Sequence, residues 1–162
     1  MPSFISKVKK KLKSGAWYPF YNTFYEKVPV DTKEILLVSR SGLALESNIL
    51  AILKELNQPE YKGFYKVLAV QKNKKEQIQK KLERYGISVD KFVYTREPSY
   101  YYHLAKAGWL INDTTFPGRY IKKDGQTYLN VWHGTPLKRM GQDNPEERYD
   151  TGNVMRNLLQ SD

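Results

Sequence analysis

The stretch "YLNVWHGTPLKRMG", Tyr128 to Gly141, places a histidine where chemistry is plausible. Strand-forming residues stop at Trp132-His133, and Gly134, Thr135 and Pro136 follow. Thr is a good helix N-cap and Pro is favoured at the next position, so a helix is expected to start there. Gly134 removes a side chain where a ligand could approach the backbone, and Lys138 and Arg139 add two cations. A neutral imidazole at that point can take a proton from a hydroxyl near neutral pH. Free helix-terminal amides and the cations can hold phosphate oxygens. The set therefore suits attack of an alcohol on a phosphate. From the residues alone a second reading stays open: a buried His133 hydrogen-bonded across the strand end, with the cations in water.

Two further turns are candidates. In "SRSGLALES", Ser41 and Gly42 lie between a strand and a helix, where backbone amides can face an anion. The stretch has neither the Walker pattern nor the three-glycine dinucleotide pattern, and most strand-to-helix turns carrying Ser and Gly simply make the turn. Asp113, in "WLINDTT", could orient His133 or an acceptor hydroxyl, or could simply make an Asx turn. His103, within "SYYYHLAKA", reads as a structural residue among tyrosines on a helix.

The elements that must position these residues follow from hydrophobic pattern. Buried strands are expected at 33–40, 64–71, 91–95, 109–113 and 127–133. Helices are expected at 41–56 (stripe Leu45, Ile49, Ile52, Leu53, Leu56), 74–86 (Ile78, Leu82 and Tyr85 inward, closed by Gly86), 97–108 (ending at Gly108) and 153–160. Strand–helix alternation from residue 33 predicts an α/β fold, a Rossmann-like parallel sheet with helices on both faces. Ligands in such sheets bind beyond the carboxyl ends of the strands, which is where Ser41, Asp113 and His133 fall.

The N-terminal 30 residues differ. Phe4, Val8 and Leu12 share one helical face, while Lys7, Lys9, Lys10, Lys11 and Lys13 occupy much of the rest. Trp17, Tyr18, Phe20, Tyr21, Phe24 and Tyr25 follow. A basic amphipathic helix beside aromatics suits an anionic membrane surface, with each basic residue there contributing roughly 1 kcal/mol. The division expected is thus a membrane-associating segment over 1–30 and a Rossmann-like domain over 31–162.

Composition narrows the classes. With 27 Lys and Arg against 17 Asp and Glu, the formal charge of +10 favours anionic partners. No cysteine is present, which removes disulfides and thiolate zinc sites. His103 and His133 are the only histidines, so no metal site is expected within the chain. No apolar run approaches the roughly 20 residues that span a bilayer. No nucleic-acid-binding pattern accompanies the charge, so nucleic acid is not an expected partner.

"QTYLNVWHGTPLKRMGQD" resembles the signature of the CDP-glycerol glycerophosphotransferases, the teichoic-acid primases and polymerases, in which a Trp-His-Gly-Thr-Pro-Leu-Lys run follows a Gln-X-Tyr strand. "WLINDTTFPGRYIKKDGQTY" resembles the same family, and the similarity spans roughly residues 33–160, strongest at 109–143. The resemblance implies one half of a GT-B-like fold and transfer of polyol phosphate from CDP-glycerol or CDP-ribitol, with release of CMP. The acceptor would be a polyol-phosphate chain on a membrane lipid, at the cytoplasmic face of a Gram-positive cell membrane. The motif histidine, matching His133, would be the base, and no metal or organic cofactor is implied. A second, donor-binding half is expected to be missing, leaving an acceptor-side half with little activity alone. Rival readings are half of a nucleotide-sugar glycosyltransferase, or a non-catalytic basic module that binds an anionic polymer at a membrane.

Overall fold

The computed structural model describes residues 18–117, 120–132 and 159–162. The basic stretch with Lys7, Lys9, Lys10, Lys11, Lys13 and Trp17 lies outside the described residues, as do His133, Gly134, Thr135, Lys138 and Arg139. Within them the order is α1 (Tyr18–Lys27), β1 (Asp31–Val38), α2 (Ser47–Glu55), β2 (Tyr65–Val70), α3 (Lys75–Arg84), β3 (Lys91–Tyr94), α4 (Pro98–Lys106), β4 (Ala107–Asn112) and β5 (Thr127–Asn130).

All five strands pair in parallel, in the order β3-β2-β1-β4-β5. The chain builds outward from β1 to β3, crosses back, and continues from β4 to β5. Right-handed crossovers put the helices of outward and return paths on opposite faces. The core obeys this. Ile35 and Leu37 of β1 pack with Ile49 and Leu53 of α2 and Ile78 and Leu82 of α3. Leu36 and Val38, pointing the other way, pack with Tyr21 of α1 and Tyr100 and Leu104 of α4. A strand buried on both faces needs apolar residues at every position, which explains the unbroken "ILLV".

Several local expectations give way to backbone geometry. The helix expected over 41–56 begins only at Ser47, because Arg40, Ser41, Gly42 and Ser47 all have positive φ and interrupt it. Leu45 is buried as expected, but from the loop ahead of α2. Tyr85 is exposed, not inward. Helix α3 closes in a left-handed turn at Gly86 (φ 64°), Ile87 N–H donates to Leu82 C=O at 3.0 Å, and Ile87 takes the core position. Helix α4 passes into β4 at Ala107, so Gly108 is a strand residue. A Cβ there would lie 2.7 Å from Thr32 Cα and 2.8 Å from the Asp31 carbonyl oxygen. The aromatic run after Trp17 belongs partly to the domain: Tyr21 is buried, its hydroxyl donates to Ile121 C=O at 2.8 Å, and Phe24 meets Tyr102 edge-on.

At the amino end of the sheet, Glu34 is fully buried. Its Oε1 lies 2.6 Å from His103 Nδ1, and its Oε2 accepts from Lys106 Nζ at 2.6 Å. Lys106 also meets Asp31 at 3.1 Å. Glu34 raises the Lys106 pKa above its ordinary value, chiefly by accepting that hydrogen bond. The Lys33 amide and then Lys106 hold the Asp31 carboxyl below the usual range. His103 is thus a buried structural residue, bound to a carboxylate that reads in sequence as a flanking surface charge.

Removing Glu34 leaves the buried His103 without its carboxylate partner and takes from Lys106 its closest ion pair. Glu34→Ala is expected to cost about 3–5 kcal/mol in urea unfolding. Gly108→Ala, which forces two backbones apart, is expected to cost about 1–3 kcal/mol in the same measurement.

Candidate functional site

In an open parallel sheet the ligand crevice forms where strand order reverses, outside the carboxyl ends. Here that point lies between β1 and β4, whose last residues Val38 and Asn112 are paired. The loop Ser39–Gly42 leaves one strand and Asp113–Thr114 leaves the other. Sequence separation between them exceeds seventy residues, yet they bond directly. Ser39 Oγ donates to Asp113 Oδ2 at 3.0 Å, and Arg40 N–H donates to Asp113 Oδ1 at 2.7 Å. Ser39 Oγ in turn accepts from Glu46 N–H at 3.3 Å. Asp113 is therefore buried and directed at the β1 loop.

That loop is strained. Arg40 (φ 48°) and Ser41 (φ 54°) are left-handed without being glycine, and Gly42 (φ 80°) follows. Each non-glycine residue in that region costs on the order of 1–2 kcal/mol, so the bonds to Asp113 must hold it. Gly42 is needed for space: an added Cβ would sit 2.8 Å from Thr95 Cγ2 and 2.9 Å from the Gln71 nitrogen. Its own C=O accepts from Gln71 N–H at 2.7 Å. Gly42 thus seats the loop on the end of β2. Ser41, by contrast, is exposed, and its Oγ is 3.4 Å from Thr114 Oγ1. Two hydroxyls from opposite sides of the reversal stand together at the rim. Arg40 adds a half-exposed guanidinium, 3.9 Å from Glu46.

The exit of β5 reaches the same edge. The ladder ends with Val131 N–H donating to Asn112 C=O at 2.8 Å. Sequence extends this strand through His133, but it ends at Asn130, since Trp132 has φ 46° and turns the chain out of the sheet. Beneath it the Tyr128 hydroxyl donates to Asn112 Oδ1 at 3.1 Å, and burial pushes that phenol up to about 12. Asn130 Nδ2 donates to Thr114 C=O at 3.0 Å, tying β5 to the turn after β4.

Of the residues singled out from sequence, the structure brings Ser41, Gly42 and Asp113 together where strand order reverses, with Ser41 exposed and the other two buried. Arg40, Thr114 and Asn130 stand at the same edge, and Asn48, the second residue of α2, donates to the Val131 and Trp132 carbonyls beside them; none of the four was singled out. Arg40 and Thr114 neighbour chosen positions. Asn130, a polar residue in an apolar strand, carries the clearest signal. Among the described residues no group of His, Cys, Asp or Glu could hold a metal ion, and no helix is long and apolar enough to cross a membrane.

The two hydrogen bonds to the buried Asp113 carboxylate are its main attachment to the loop. Asp113→Ala is expected to lower stability by about 2–3 kcal/mol, read from urea unfolding. It should also make the amides of Arg40 and Ser41 exchange faster with solvent.

Residues 20–162 match the family model for CDP-glycerol:poly(glycerophosphate) glycerophosphotransferase. The chain is 27% identical over 149 residues to the teichoic acid poly(glycerol phosphate) polymerase of Bacillus subtilis, which covers 88% of this chain and 19% of that protein. It is 41% identical over 44 residues to the protein of the same description from Staphylococcus epidermidis, covering 27% of this chain and 6% of that protein. The chain thus spans about a fifth of the length of the Bacillus relative. Its fold is similar to solved structures of the wall teichoic acid polymerase TagF. One variant matches with TM-score 0.69 at 17% identity, over 99% of this chain and 41% of that one. A TagF variant soaked with CDPG matches with TM-score 0.69 at 18% identity, over 99% and 42%. The Rossmann-like sheet is accordingly shared with these polymerases, and the chain belongs to the CDP-glycerol:poly(glycerophosphate) glycerophosphotransferase family.

Proposed function

We propose that this chain is the acceptor-side half of a polyol-phosphate transferase, with its reacting centre at the carboxyl edge of the sheet. The observation that carries this reading is the convergence at one edge of three segments. They are the strained Ser39–Gly42 loop, the Asp113–Thr114 turn, and the exit of β5 that leads into "HGTPLK". Family membership supplies the chemical class.

In the proposed reaction the terminal hydroxyl of a polyol-phosphate acceptor attacks the glycerol-bearing phosphorus of CDP-glycerol, or the corresponding atom of CDP-ribitol. A new P–O bond forms, the bond to the CMP oxygen breaks, and CMP leaves with the bridging oxygen. His133 takes the proton from the attacking hydroxyl. Gly134 and Thr135 at the expected helix start, with Lys138 and Arg139, hold phosphate oxygens as negative charge moves toward the leaving group. Ser41 and Thr114 are placed to hydrogen-bond polyol hydroxyls or phosphate oxygens, while Asp113 acts through the loop it fixes. Donor binding is assigned mainly to a second half outside this chain. No residue of the chain is assigned to a metal or organic cofactor.

The acceptor is proposed to be linked to a membrane lipid, and the chain to sit peripherally on the cytoplasmic face of the membrane. Lys7, Lys9, Lys10, Lys11, Lys13 and Trp17 would make that contact, a reading supported by the clustered charge and the apolar stripe between the lysines.

Two measurements test this. In a preparation that transfers glycerol phosphate from CDP-glycerol, His133→Ala is expected to lower CMP release by about 10²–10⁴-fold. Binding of polymer and of anionic vesicles should persist. Unchanged turnover would remove His133 from the chemistry, and a parallel loss of binding and turnover would make it a ligand-holding or structural residue. Separately, deletion of residues 1–15 should release the chain from vesicles containing anionic lipid. Undiminished binding would show that another surface is the anchor.

A further inference from the structure

The chain approaches His133 through a backbone held from two sides by asparagine side chains. Trp132 is left-handed (φ 46°), a costly state for a bulky residue. Its N–H donates to Asn130 Oδ1 at 3.1 Å. Its carbonyl accepts from Asn48 Nδ2 at 3.3 Å, and the same Nδ2 donates to Val131 C=O at 3.0 Å. Three backbone groups around the turn thus meet two amide side chains. Asn130 is anchored in turn by its bonds to Thr114 C=O (3.0 Å) and the Tyr128 hydroxyl (3.3 Å).

Asn48 comes from a distant part of the chain. It is the second residue of α2, directly after Ser47, whose own φ of 47° is left-handed. Helix α2 covers β1 and β2 through Ile49 and Leu53, so its start is fixed by the core. Asn48 itself is exposed and adds nothing to that core. A short side chain with two amide hydrogens reaches two carbonyls at once, which neither Asp nor Ala can do.

From this geometry we propose that Asn48 is a positioning residue. It pins the Val131 and Trp132 carbonyls, holds the strained turn at the exit of β5, and so fixes the direction in which the backbone leaves Trp132, the residue before His133. Asn130 is the second jaw of the same clamp. The importance of the clamp rests on the proposed role of His133, but its existence does not.

The test uses this chain and its two histidines. In Asn48→Ala, amide hydrogen exchange at Trp132 is expected to accelerate about tenfold, the equivalent of losing one to two modest hydrogen bonds. The NMR titration midpoint of the His133 imidazole should move, while the resonances of buried His103 stay in place and report an intact domain. Asn48→Asp, with the same shape but no amide donor, should behave like Asn48→Ala, and Asn48→Gln should restore part of the effect. If neither Ala nor Asp changes exchange at Trp132, no clamp exists. If exchange accelerates but the His133 titration does not move, Asn48 is merely structural and the proposal falls. Should His133→Ala leave transfer unchanged while the Asn48 variants behave as expected, the base assignment fails and the clamp stands.

Discussion

The pairing of β1 with β4 is the constraint on which the crevice depends. These strands are neighbours in space because the chain reverses its direction of building after β3. The reversal leaves two loops facing each other in direct contact. Asp113 bridges the gap by accepting one side-chain and one backbone hydrogen bond from the opposite loop. A buried carboxylate so engaged can hold Arg40 and Ser41 in left-handed states they would otherwise leave. Gly42 completes the seat, since only a residue without Cβ fits against Thr95 and Gln71.

The two ends of the sheet use charge differently. At the amino end, both carboxylate oxygens of Glu34 are engaged, one by His103 and one by Lys106, with Asp31 at the margin of the cluster. It joins α4 to β1. At the carboxyl edge, hydroxyls, amides and a guanidinium stand exposed or half-exposed around Ser41, Thr114 and Arg40. Groups that remain available to solvent can exchange water for substrate, whereas groups satisfied within the core cannot. The contrast supports the proposed reading, in which binding takes place at the edge where strand order reverses.

Much of this was legible in the sequence because it depends on patterns of nearby residues. The runs "ILLV" and "VLAV" announce strands buried on both faces, and the stripe Ile49, Leu53 and Leu56 announces α2. The candidate turns were legible through strand–helix alternation and the placement of ligands at strand ends. What escaped depends on contacts between distant residues. Glu34 reads as a flanking charge, since nothing local reveals that His103 and Lys106 come to meet it. Asn48 reads as an ordinary surface residue of a helix, because its partners lie more than eighty positions away. Left-handed Arg40, Ser41, Ser47 and Trp132 were invisible for a related reason: local preference disfavours them, and tertiary bonds overrule it.

The central claim is that the anionic acceptor meets this domain at the carboxyl edge of its sheet. Amide chemical shifts of the isotopically labelled chain, followed while short glycerol phosphate oligomers are added, test it most directly. The account predicts that saturable shifts concentrate at Arg40, Ser41, Thr114, Trp132 and His133. Shifts confined to the N-terminal lysines, or centred on Asp31 and Lys106 at the opposite end, would contradict it.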